Sequence, residues 1–153
     1  MKRVTKLAIL TNAALAVLLL VVGVVCFLPV GVSTAGKLSD RVYYSGNTES
    51  KYVSVMINVY WGTEYIPAML DVLDEYGAKA TFFVGGSWAD DHTETLREIV
   101  RCGHELGNHG YFHKDQDKLN YEKNAEEIRM CGELVERLTD VKMNLFAPPS
   151  GAY

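Results

Sequence analysis

Between Leu7 and Leu28 the chain runs 22 residues without a charge, and only Thr11, Asn12 and Gly23 in that run are not apolar. No other feature restricts the fold as much. A helix rising about 1.5 Å per residue covers, over this length, a bilayer core of about 30 Å. A surface helix of a soluble domain keeps a polar face, and this run has none. Lys2, Arg3 and Lys6 precede it and Pro29 follows it. Such basic residues stay in the cytoplasm, so the run predicts a single pass with everything after it outside the cytoplasm. A cleaved signal has the same orientation, and Ser33-Thr34-Ala35 is a small-x-small sequence that a signal peptidase could use, which would make the product secreted. The run exceeds the roughly 7–15 apolar residues of a signal core, which favours an uncleaved anchor. Cys26 reads as a small hydrophobe or a lipid-facing thiol.

The remainder divides by composition. Residues 1–6 form a cytoplasmic basic flank, 7–28 the transmembrane anchor or signal, 29–50 a linker rich in Gly, Ser, Thr and Asn, and 51–153 a partial folded domain. After residue 6 the chain holds 12 basic and 19 acidic residues. An acidic body is unsuited to neutralising phosphates, so no nucleic-acid partner is expected. Three cysteines are too few and too odd in number for a disulfide framework.

From Lys51 the residue pattern alternates. Tyr52–Val59 is rich in β-branched residues and predicts a buried strand. Glu64–Tyr76 predicts a helix, with Pro67 tolerated in its first turn and Gly77 as its stop. Lys79–Val84 predicts a second strand closed by Gly85-Gly86. Thr93–Cys102 predicts a helix ended by Gly103. Glu105–Asn108 predicts a short third strand. Tyr121–Leu138 predicts the longest helix, with Ala125, Ile128, Leu134, Val135 and Leu138 inward. Met143–Phe146 predicts a fourth strand. Strands separated by helices of this length imply parallel pairing in an α/β sheet or part of a β/α barrel. Working residues in such folds gather at the C-terminal ends of strands. Those ends are Tyr60-Trp61-Gly62, Gly85–Asp91, His109–His113 and Ala147–Gly151.

The sharpest local signal is Gly103–His113, reading G-H-E-L-G-N-H-G-Y-F-H. His109 and His113 are four apart, and on one helical turn two such imidazoles can reach one metal ion. A catalytic zinc site wants a third protein ligand, often a carboxylate, and an open position for water. The bland reading makes both histidines loop residues.

Three ordered stretches carry a resemblance: Ala78–Gly86 (A-K-A-T-F-F-V-G-G), Gly103–His109 (G-H-E-L-G-N-H) and Phe146–Gly151 (F-A-P-P-S-G). Together they resemble the polysaccharide deacetylase family, also called the NodB-homology domain or carbohydrate esterase family 4. The likeness covers about two-thirds of the chain but only the first part of the family domain. It implies the N-terminal half of a distorted β/α barrel behind an N-terminal transmembrane helix. It also implies a metal-dependent hydrolase that removes N-acetyl groups from glycans such as chitin or peptidoglycan. In that family a T-F-D-D-G motif supplies a general base and a metal-binding Asp. H-[S/T]-x-x-H supplies two histidine ligands, and R-x-P-[Y/F]-G supplies an Arg that orients the base. The metal, zinc or similar, activates a water and polarises the amide carbonyl, while the carboxylate takes the proton.

This chain departs from that pattern at the reacting positions. Asn58–Gly62 (N-V-Y-W-G) replaces T-F-D-D-G, placing Tyr60 at the base position and Trp61 at the metal-Asp position. A phenol with pKa about 10 is a poor base at neutral pH. An indole offers only a donor. His109 and His113 are kept as the implied metal ligands. Ala147 stands at the Arg position and Ser150 at the aromatic position, while Pro148 and Gly151 match. With base, third ligand and Arg replaced, the expectation is a deacetylase-like hydrolase acting on carbon–nitrogen bonds of N-acetylated cell-wall glycan, weak or inactive as written. The alternative is a non-catalytic, membrane-anchored protein of the cell envelope or spore that binds glycan or a partner. The N-[V]-x-W-G and F-A-P-P-S-G motifs behind an anchor also resemble a sporulation-associated branch of the family.

Rescue of the metal site by Glu64, Asp90, Asp91 or Asp115 is a minor expectation, since loop acids are normally just solvated. Trp88, Pro148, Pro149 and Ser150 are candidate groove residues, with Trp88 placed in the loop after the second strand. Tyr43, Tyr44, Tyr52 and Tyr60 could stack on sugars but read more readily as surface residues. Cys102 and Cys131 read as two buried free thiols. A β/α barrel needs roughly 200 to 250 residues, and about 100 follow the linker. The chain is therefore expected to belong to a longer protein, or to meet a protein partner that completes the barrel.

Overall fold

The computed structural model describes residues 11–22, 42–46, 49 and 51–152. Backbone contacts divide the chain into two units, Met1–Ser45 and Gly46–Tyr153. In the first unit, residues 11–22 are helical (α1) with exposed side chains. The rest of the Leu7–Leu28 run, its basic flank, Cys26 and most of the linker lie outside the described residues. Among the described residues no helix is long and apolar enough to cross a membrane.

The second unit is an α/β structure around a three-stranded parallel sheet. Its elements are β1 (Val55–Val59), α2 (Ile66–Glu75), β2 (Ala80–Val84), α3 (Gly86–Asp91), α4 (Thr93–Arg101), β3 (Glu105–Asn108) and α5 (Tyr121–Thr139), with strand order β1-β2-β3. Helices intervene between successive strands, as parallel pairing requires. Pro67 lies at the start of α2, where its missing N–H costs nothing. Gly103, at φ 75, follows α4. Asn120 caps α5, its side-chain oxygen accepting from the Lys123 amide at 3.0 Å.

Side chains alternate across a strand, so register decides which residues share a face. Val59 of β1, Ala80, Phe82 and Val84 of β2 and Leu106 of β3 join the buried core with Ile66, Leu70, Leu96, Ile99, Cys131, Leu134 and Val135 from the helices. The opposite face carries rows set by the pairing. Met56 meets Thr81 and Glu105, and Asn58 meets Phe83 and Gly107. Thr81 donates to Glu105 at 2.6 Å. The Phe83 ring lies so close over Gly107 that a Cβ there would sit 2.5 Å from it.

Several sequence expectations need correction. The stretch after β2 is not a loop: Gly86–Asp91 forms α3, a short helix with too few residues for a periodic signal. The fourth strand reduces to one parallel bridge between Asn108 and Phe146. β1 begins at Val55, because Tyr52–Ser54 are unpaired and exposed. Ala125 of α5 is exposed and Ile128 and Leu138 are half-buried, while the buried positions are Leu134 and Val135, as expected, together with Glu127 and Cys131. Cys131 is buried and free, as expected, whereas Cys102 is free but only partly buried.

Candidate functional site

One row beyond the last ladder pair, the same alternation places Tyr60, Gly85 and His109 side by side. The ladder continues to that row, with the Gly85 amide donating to the Val59 carbonyl at 2.8 Å and the His109 amide donating to the Val84 carbonyl at 3.0 Å. Gly85 is the small residue between two rings: a Cβ there would approach the Tyr60 Cβ at 3.3 Å. The strands therefore deliver Tyr60 and His109 to one face, with ring centroids 6.0 Å apart.

His113 reaches the same place by a different route from the one expected. Residues 109–113 are not helical. The chain turns at Gly110 (φ 77) and again at His113 (φ 53), an uncommon conformation for a residue with a Cβ. The turns bring the His113 ring to 4.9 Å from that of His109 and stack it on Tyr60 at 3.6 Å with an interplanar angle of 22°. The two imidazoles thus meet as the resemblance implies, but through a loop and not through a helical i, i+4 face.

His109 is buried, and its Nδ1 lies 2.8 Å from the Ala147 carbonyl. A carbonyl only accepts, so Nδ1 carries the proton and the lone pair sits on Nε2. That is the tautomer a metal-ligating histidine needs. Burial holds this imidazole below its ordinary pKa, against the opposing pull of the Ala147 carbonyl. Ala147 is in position because its amide donates to the Asn108 carbonyl at 3.0 Å. At the Arg position of the family motif, this chain therefore contributes a backbone oxygen.

The other side of the site is built differently. Trp61 is 79% exposed. Glu64 turns back on its own loop, accepting from the Thr63 amide at 2.9 Å. Asp115 is bound by Lys118 at 2.5 Å and by the Ser150 hydroxyl, which hold its carboxyl below the usual range. Asp90 and Asp91 are exposed. Among the described residues no group of three His, Cys, Asp or Glu side chains is arranged to hold a metal ion. Two imidazoles without a carboxylate do not make the three-ligand set of a catalytic zinc site. Family members are generally metal-dependent, and the donors here do not fit that group.

Trp88 is corrected by the structure. It lies in α3, is 2% exposed, and donates its indole N–H to the Gly62 carbonyl at 2.8 Å. Its faces are covered by core, so its work is to pin the loop after β1. Pro149 is buried, Pro148 half-buried, and Ser150 exposed at φ 57. Sequence reasoning missed Asn108 and Glu127. Asn108 is buried, accepts from the Gly110 amide at 2.9 Å and donates to the Ile128 carbonyl at 2.7 Å. Glu127 is 5% exposed and accepts from the amides of Tyr111 and Phe112. An acid four residues before Cys131, on the inward face of a helix, was the available signal.

Residues 45–153 match the family profile described as polysaccharide deacetylase. The chain is 40% identical over 116 residues to the uncharacterized protein YlxY of Bacillus subtilis, covering 76% of this chain and 36% of that one. It is 30% identical over 112 residues to the peptidoglycan-N-acetylmuramic acid deacetylase PdaA of Bacillus subtilis, covering 72% and 43%. Among solved structures it is similar to a CE4 family pseudoenzyme from Bacillus anthracis, with TM-score 0.74, 35% identity, and coverage of 76% of this chain and 41% of that one. A mutant of that pseudoenzyme with restored enzymatic activity matches with TM-score 0.74, 33% identity and coverage of 76% and 43%. The chain spans less than half the length of these relatives. The fold, the three motifs and these matches agree: the chain belongs to the polysaccharide deacetylase family.

Proposed function

We propose that this deacetylase-like domain engages N-acetylated cell-wall glycan and hydrolyses it weakly or not at all. One observation carries the reading. The Tyr60 ring stacks on His113 at 3.6 Å, in the row where the family resemblance requires a carboxylate base. A phenol there covers an imidazole face and puts no carboxylate beside the histidines to take a proton from water. The likeness to a pseudoenzyme and to a peptidoglycan deacetylase supports both halves of the reading. A divalent ion bound through His109 and His113 alone would be held weakly, for want of a third ligand. The charge-free run and the exposed apolar side chains of α1 support a membrane anchor, with the domain facing the envelope or spore wall.

The test incubates the full chain with insoluble peptidoglycan and with soluble N-acetylated oligosaccharides, with and without added zinc. The reading expects retention on glycan and acetate release at or barely above background. Rapid, many-turnover acetate release that disappears in His109→Ala would overturn the hydrolytic half. Absence of retention on either glycan would remove the binding half.

A further inference from the structure

We propose that Glu127 is the positioning residue of the two-histidine centre: from α5 its buried carboxylate fastens the Gly110–Lys114 loop and so holds His113 against Tyr60 without a metal. This rests on reading the histidines as the functional centre, and its test does not use glycan.

Within that loop, Gly110 and His113 both occupy the left-handed region, at φ 77 and 53. For His113 such a conformation is strained and persists only where the surroundings over-determine it. A metal held by His109, His113 and a third ligand would do that, and among the described residues the third ligand is missing. The restraint comes from behind the loop instead. Glu127 Oε2 accepts from the Tyr111 amide at 3.0 Å and the Phe112 amide at 2.7 Å. Its Oε1 pairs with Lys114 Nζ at 3.1 Å. The single carboxylate therefore holds the two residues before His113 and the one after it: Tyr111, Phe112 and Lys114. From α3, the Ser87 amide donates to the Tyr111 carbonyl at 3.0 Å and the Gly86 amide to the Gly110 carbonyl at 3.0 Å. α3 thus engages the carbonyls of the loop and Glu127 its amides. Removing the carboxylate leaves two inward amide protons without an acceptor, and nothing else on α5 reaches them. Gly110 suits its place by its φ of 77, a conformation that a residue with a side chain rarely adopts.

The test is nuclear magnetic resonance of the full chain in detergent, comparing Glu127→Ala, Glu127→Gln and Glu126→Ala. The readouts are the ring-current shift of the His113 imidazole protons beneath Tyr60 and the exchange rates of the Tyr111 and Phe112 amides. Hydrogen bonds to a charged acceptor are each worth about 1.5–3 kcal/mol, so Glu127→Ala should speed exchange of these amides by about 10- to 100-fold. It should also abolish the His113 shift while leaving signals of β2 intact. Glu127→Gln keeps an acceptor oxygen and should retain most of the shift. Glu126 is exposed on the same helix, and Glu126→Ala should change neither readout. If Glu127→Ala does not fold, Glu127→Gln combined with Lys114→Met decides: a weakened His113 shift supports the proposal, and an unchanged one overturns it. A folded Glu127→Ala chain with the wild-type His113 shift and slow amides overturns it as well, showing a merely structural acid.

Discussion

The ends of β1 and β3 lie one strand apart in the same sheet and are held in opposite ways. At the end of β3, Asn108 and His109 are buried, and each is tied by hydrogen bonds to a neighbouring segment: Asn108 to α5, His109 to Ala147. At the end of β1, Tyr60 is 42% and Trp61 79% exposed. The tie there is made by the backbone, through Gly62 and the Trp88 indole. The end that carries the histidine is the end whose residues also hold the fold. The end that carries Tyr60 and Trp61 leaves both side chains well exposed. Chemistry at β1 can therefore change with little cost in stability, whereas β3 cannot shed its residues.

Thermal unfolding sharpens this contrast most. Asn108→Ala leaves the Gly110 amide without its acceptor and removes the strand's tie to the Ile128 carbonyl, and should cost about 2 kcal/mol. A loss near zero would show that the β3 end is no better tied than β1.

Acid should loosen β3 from its other end too. His104 precedes the strand and its Nδ1 accepts from the Ala80 amide at 3.3 Å, so the ring is neutral at that atom. Burial first, and the Lys79 charge second, hold its pKa below the ordinary value. A depressed pKa adds stability that is present above the unfolded value of about 6.5 and is lost as pH falls through the folded one. The melting temperature should fall on acidification below that point, and less steeply in His104→Gln. Equal slopes in both proteins would assign the acid sensitivity elsewhere.

At β1 the effects should shrink. Trp88→Phe removes the indole donor to Gly62 but keeps most of the apolar bulk, and should cost about 1 kcal/mol. Trp61→Ala, at an exposed side chain, should stay within about 0.5 kcal/mol of the parent. A Trp61→Ala loss larger than that of Trp88→Phe would reverse the comparison.

The legibility of the sequence followed the same division. β2 and β3 were readable because A-T-F-F-V and E-L-G-N sit between glycine-marked ends, and α5 because its apolar positions recur at helical spacing. α3 was not, because six residues with two acids at the end give no period and Gly85-Gly86 looked like a stop. The fourth strand failed because its apolar residues pair through one bridge only. The histidine pair was legible as a pair, while its geometry was not. The spacing of four suggested a helix, and the turns at Gly110 and His113 depend on Glu127, 14 residues past His113 in sequence. An indole near a strand end suits a sugar, which is what makes Trp88 a groove candidate from sequence. Its burial follows from packing that no local pattern displays.

The two-histidine centre lacks a ligand at the end of β1 and keeps His109 fixed at the end of β3. Zinc binding measured by calorimetry on the full chain and on Trp61→Asp tests it most directly. The account predicts no stoichiometric site in the full chain, and in Trp61→Asp one site that a further His109→Ala change abolishes. A full chain that already binds one zinc tightly, and loses it in His109→Ala, would contradict it.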